Sequence, residues 1–217
     1  FVEAIMSAEE LPDSMRNFSS SPKVRSKLWE LLKTLDIPQQ APVLRLIKVE
    51  QEEDVDKINM DYLRQTLGAR DDPAVLFFTL RILSDAQSKA QNYTLVHRYA
   101  TNARTPQALR NLLARDVLSN YLDDAGVLDY YLKNISDRRN DTAQREMLTS
   151  ALIKNIHSND PRLLAATGSL YRTYLKELQQ RENWRAQDTS TTAEDDQREE
   201  LLNGLAILLA KSTLADS

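Results

Sequence analysis

An all-α fold of short amphipathic helices packed in chain order is what this sequence predicts, and three observations carry the expectation. A short polar residue followed by proline recurs at Ser21-Pro22, Asp72-Pro73, Thr105-Pro106 and Asp160-Pro161. Behind each, apolar residues fall at three- and four-residue steps, the period of one helix face. Only 4 glycines occur in 217 residues, so the turn chemistry that multistranded sheets and phosphate-cradling loops need is scarce.

The punctuation has a physical sense. Ser, Thr and Asp side chains accept hydrogen bonds from the free N–H groups of a first helical turn, and proline suits the first helical position, where no N–H is needed. The first start, at Ser21, leads into Val24, Leu28, Leu31, Leu32 and Leu35, and the second, at Asp72, into Val75, Phe78, Ile82 and Leu83. Thr105 opens a helix carrying Leu109, Leu112, Leu113, Val117 and Leu118. Asn140-Asp141-Thr142 offers a start without proline, ahead of Met147, Leu148, Ala151, Leu152 and Ile156, and Asp160 leads to Leu163, Leu164, Leu170, Tyr174 and Leu178. Shorter helical candidates lie around 41–49, 55–67, 92–101 and 126–135, each needing neighbours to pack on. Residues 185–200 are polar and rich in Thr and acid, as a solvated loop before a last apolar helix over Leu201 to Leu209.

The caps at 72, 105 and 141 are separated by 33 and 36 residues, a spacing in the range of stacked helical repeats. The interval from 21 to 72 is longer, and the acidic stretch Glu50 to Asp56 reads as an insertion within it. The segments Ser21-Pro22-Lys23-Val24-Arg25-Ser26-Lys27-Leu28-Trp29, Asp71-Asp72-Pro73-Ala74-Val75-Leu76 and Asn140 to Leu148 resemble the start of the long third helix of armadillo and HEAT repeats. Asp124-Ala125-Gly126-Val127-Leu128-Asp129-Tyr130-Tyr131-Leu132 resembles the second helix of an armadillo unit. The resemblance touches about residues 20–180 and implies stacked helical hairpins or three-helix units forming an armadillo- or HEAT-like superhelix, expected as a single repeat domain over 1–217; the start at Phe1-Val2-Glu3, without an initiator Met, reads as that of a piece of a longer chain. It departs from the importin type, whose third helices pair Trp with Asn: Trp29 is followed by Lys33, and Asn111 and Asn155 have no such Trp.

Composition narrows the function classes. With no cysteine, disulfide frameworks, thiolate metal sites and cysteine nucleophiles are all absent. Histidine occurs only at 97 and 157, neither in a ligand-spaced pair, and no phosphate loop or serine nucleophile elbow is present. Carboxylate pairs at Glu52-Glu53, Asp71-Asp72, Asp123-Asp124 and Asp195-Asp196 read as a helix cap at Asp72 and as loop acids elsewhere. The expectation is a non-enzymatic chain without metal or cofactor. A net charge of −4 counts against a general nucleic-acid binder, and no apolar run has the length of a membrane span.

One charge feature stands out. Arg98, Arg104, Arg110 and Arg115, with His97 beside them, bring positive charge to a short stretch in which Asp116 is the nearest acid. These arginines, with Asn111, are the candidate partner-binding residues, facing an acidic or extended segment of another protein. Tyr130, Tyr131, Tyr171 and Tyr174 are aromatic alternatives that helical spacing assigns to the core. The expected role is a protein-binding scaffold or adaptor in the cytoplasm or nucleus. The architecture alone also admits an armadillo-type co-chaperone that exchanges nucleotide on an Hsp70. Four N-x-Ser/Thr sequons, at Asn17, Asn92, Asn134 and Asn140, leave the lumen of the endoplasmic reticulum open as a setting.

Overall fold

The computed structural model describes residues 21–49, 52–137, 139–140 and 142–155, with isolated positions at 171–173, 175–176, 179, 203–204 and 206. Every regular element among the described residues is helical. The chain divides into two compact units, Phe1–Asn120 and Tyr121–Ser217. The first holds α1 (Pro22–Thr34), α2 (Ala41–Leu46), α3 (Asp54–Thr66), α4 (Pro73–Asp85), α5 (Lys89–Thr101) and α6 (Gln107–Asp116). The second holds α7 (Ala125–Ser136) and α8 (Thr142–Asn155), packed on one another. The isolated described positions beyond 170 are helical. The start at Asp160-Pro161, the loop at 185–200 and most of both later helices lie outside the described residues.

The polar-residue starts behave in three ways. Asp72 caps α4 with its side chain, its Oδ1 accepting from the N–H groups of Ala74 at 2.9 Å and Val75 at 3.0 Å. Asp124, read from sequence as a loop acid, does the same for α7, accepting from Gly126 at 2.9 Å and Val127 at 3.2 Å. Ser21 stands at the N-cap of α1 in extended backbone, but its side chain makes no capping bond, so proline and the core-facing residues set that start. Thr105 serves the preceding helix instead. Its hydroxyl donates to the Tyr99 carbonyl at 3.0 Å, and α6 begins at Gln107.

In the first unit, α1 lies against α2 and α3, while α4 packs on α2, α5 and α6, and α5 packs on α6. α4 is the centre: Val75 through Leu80, Ile82, Leu83 and Ser84 are all buried, as expected of a helix apolar on every side. Around it, Trp29, Leu32, Leu44, Met60, Leu63 and Val96 are buried too. Each such side chain contributes about 1.5–3 kcal/mol relative to exposure.

Two polar clusters sit inside this apolar packing. Asp56 is fully buried and accepts from Arg25 Nε at 3.2 and 3.3 Å, Arg25 Nη2 at 3.0 Å, Trp29 Nε1 at 2.8 Å and the Glu53 N–H at 3.1 Å. The acid thus closes the first turn of α3 and ties that helix to α1. The segment read as an acidic insertion is, from Asp54 on, the beginning of α3. In the second cluster, Arg70 donates to Gln40 Oε1 at 2.6 Å and to Thr66 Oγ1 at 3.2 and 3.1 Å, with Tyr62 beneath its guanidinium at 5.7 Å. No carboxylate pairs with Arg70 among the described residues, and burial pushes its pKa down.

A shared device explains how buried amides and cations are tolerated. Gln40 Nε2 donates to the Leu32 and Leu35 carbonyls at the end of α1, at 2.9 and 3.0 Å. Asn92 Nδ2 donates to the Leu83 carbonyl near the end of α4 at 2.7 Å, while its Oδ1 accepts from Arg64 Nε at 2.7 Å. In the second unit Asn140 Nδ2 reaches the Asn134 carbonyl at 2.8 Å, and Arg145 Nε reaches the Ile135 carbonyl at 2.8 Å. The last carbonyls of a helix lack intrahelical donors and sit at the negative end of its dipole. In the first unit an amide passes that demand on to a guanidinium, so Arg64 and Arg70 are held through Asn92 and Gln40.

Candidate basic surface on the α5–α6 hairpin

No Asp or Glu occurs from Ala86 to Arg115, a stretch that carries Lys89, Arg98, Arg104, Arg110 and Arg115 in a chain of net charge −4. The fold turns that stretch into one helical hairpin, α5 and α6 packed together. Its turn is built locally: Asn102 Oδ1 accepts from the Arg104 N–H at 2.9 Å, and the Thr105 N–H reaches the Asn102 carbonyl at 3.0 Å. Val96, Ala100, Leu109, Leu112 and Leu113 face inward, which leaves the cations for the outer side.

The five residues singled out from the sequence do not form one uniform face. Arg98 and Arg104 are exposed, one near the end of α5 and the other in the turn. Arg98 rests 5.9 Å from the centre of the Tyr99 ring. Arg110 is half-buried, donating to Gln107 Oε1, with its Nε buried and without a hydrogen-bond partner. Asn111 Oδ1 accepts from Gln107 Nε2 at 2.8 Å, so Gln107 joins Arg110 and Asn111 in one polar cluster. Arg115 is held by its neighbour Asp116 through Nε at 2.7 Å and Nη2 at 2.6 Å, which neutralises much of its charge. Arg98, Arg104 and Arg110 make no ion pair among the described residues. Beside them Tyr93 and His97, one turn apart on α5, bring their rings to 5.6 Å, an aromatic contact that the charge count passes over.

The other end of the neighbourhood is acidic. Asp85, at the end of α4, accepts from Asn120 Nδ2 at 2.8 Å, and burial, with Asp116 nearby, pushes its pKa up against the pull of Arg81. Of the aromatic alternatives, Tyr131 is fully buried and Tyr130 half-buried with the two rings edge to face; Tyr174 lies outside the described residues. Among the described residues no group of three or more His, Asp or Glu is placed to hold a metal ion, and no helix is long and apolar enough to cross a membrane. Compared with protein families, with curated proteins and with solved structures, the chain matches none.

Proposed function

We propose that the chain is a non-catalytic protein-binding scaffold of stacked helical hairpins, and that the α5–α6 surface around Arg98 and Arg104 receives an acidic, extended segment of a partner protein. One observation carries this reading: a thirty-residue stretch free of carboxylates forms a single hairpin whose two exposed arginines make no ion pair among the described residues. Support for the stacked architecture comes from the packing order of the first unit, where α2, α4 and α6 touch in succession and α1 touches α3. Contacts one and two helices along are what hairpin repeats of the HEAT kind make.

Magnitudes shape the expectation. An exposed ion pair contributes about 0.2–1 kcal/mol, so Arg98 and Arg104 steer and orient a partner while its affinity comes from neighbouring contacts such as Tyr93, His97 and Tyr99. Guanidinium forks favour carboxylates held in bidentate geometry.

The test is capture of partners on immobilised chain beside a variant with Arg98→Glu and Arg104→Glu, followed by binding of the recovered partner over a salt series. Loss of the partner from the variant, with weaker salt dependence, supports the surface. A partner retained equally by both chains removes it. A variant with Arg115→Glu is the internal contrast, since Asp116 already occupies that guanidinium and its reversal acts first on stability.

A further inference from the structure

Asn92-Tyr93-Thr94 is an acceptor sequence for N-linked glycans. Glycosylation replaces a hydrogen on the asparagine Nδ2 with a sugar far larger than any void in a packed core, so that nitrogen must face solvent. In this fold Asn92 is 0% exposed. Its Nδ2 is spent on the Leu83 carbonyl and its Oδ1 on Arg64, so one side chain ties α5 to the end of α4 and to α3. A sugar on that nitrogen must lift α5 from α4, the most buried helix of the unit, and leave the Leu83 carbonyl and the Arg64 Nε without the partner described for them, while Arg64 keeps Asp61 through Nη1. The asparagines of the other two sequons among the described residues are only half-buried, so Asn92 is the one that the fold seals off. Asn134 Nδ2 donates to the Tyr130 carbonyl at 2.7 Å, and Asn140 Nδ2 donates to the Asn134 carbonyl at 2.8 Å.

N-linked oligosaccharide is transferred to chains that have not yet folded, so burial in the finished structure does not shield the site. It makes the modified chain unable to finish. We propose that glycosylation at Asn92 and this fold exclude one another, and that the protein therefore folds and works in a compartment where N-linked oligosaccharide is not transferred.

The test sends the full chain into the secretory lumen of a eukaryotic cell behind a cleavable signal, with Ser19→Ala, Ser136→Ala and Thr142→Ala, so that Asn92 carries the remaining acceptor sequence. The comparison chain adds Thr94→Ala, which removes that sequence at an exposed position and leaves Asn92 intact. Both are first made without the signal and shown to fold, with matching melting temperatures. The expected result is a chain that gains one endoglycosidase-sensitive oligosaccharide and is retained, while the Thr94→Ala chain is secreted in several-fold greater yield, since small losses of stability shift abundance by that order. Equal secretion of the two chains, glycosylated or not, overturns the proposal, as does a glycosylated chain that melts at the temperature of the unmodified one.

Discussion

Asp56→Ala is the substitution with the largest consequence the structure allows to be worked out. Asp56 is fully buried and Arg25 is 3% exposed, and their contact is bidentate in form, with Trp29 and the Glu53 N–H completing the shell of the carboxylate. Removing the acid breaks a buried ion pair and takes the acceptor from the Trp29 N–H, and breaking one half of such a pair costs about 3–5 kcal/mol. The orphaned Trp29 N–H adds to that figure only in part, because the two losses share one site. With an overall loss of ~4 kcal/mol and a urea m-value of ~2 kcal/mol/M, the midpoint of unfolding falls by ~2 M. The transition is followed by Trp29 fluorescence in a Trp184→Phe background, so that the signal reports the first unit alone. Replacing both partners, Arg25→Met with Asp56→Leu, recovers most of the loss, because no charge is then left buried. A fall of less than ~0.5 M for Asp56→Ala, or a double variant no better than the single one, refutes the reasoning, since the pair would then contribute no more than a surface pair does.

Further outcomes follow from single contacts. Asp72→Ala and Asp124→Ala each lower stability by about 1 kcal/mol, whereas Ser21→Ala changes it by a few tenths at most, since only the two aspartates make capping bonds; chemical denaturation distinguishes the three. Thr79 is fully buried on α4 with an unpartnered hydroxyl, and Thr79→Val is expected to stabilise the chain by about 1 kcal/mol, measured in the same way. Arg139, bonded at 3.0 Å through Nε and at 2.7 Å through Nη2, holds the Asp137 carboxyl down to about 2. A carboxylate with a lowered pKa contributes stability above its ordinary value of 3.8 and loses it as pH falls through about 2. NMR titration of Asp137 should therefore show a midpoint near 2, and Arg139→Ala should return it toward the ordinary range.

Helix content and most helix positions were legible in the residues, because a cap, a proline and a three-to-four-residue apolar step are all local. The starts at Pro22 and Pro73 were readable from adjacent residues, and the candidates around 41–49, 55–67 and 126–135 fall on the helices Ala41–Leu46, Asp54–Thr66 and Ala125–Ser136. Asp123-Asp124 could have been read with Asp71-Asp72, since both pairs precede an apolar pattern containing Val and Leu at the same offsets. The charge segregation from 86 to 115 was equally open to view. What stayed hidden was pairing across distance. Nothing local says that Asp56, in an acidic run, is the counter-ion of Arg25, or that Trp29 donates to it.

The candidate surface shows the same division. Composition pointed to five residues, but only tertiary structure decided that Arg98 and Arg104 face solvent, that Gln107 gathers Arg110 and Asn111, and that Asp116 takes Arg115. The sequence by itself determined a helical chain without cysteine chemistry and with a stretch from 86 to 115 that carries cations and no acid, because those properties follow from periodicity and composition. Tertiary structure alone decided which helix is central, which asparagine is sealed inside and which charges remain exposed. Those outcomes depend on which atoms lose water when helices meet, and a linear spacing does not carry that information.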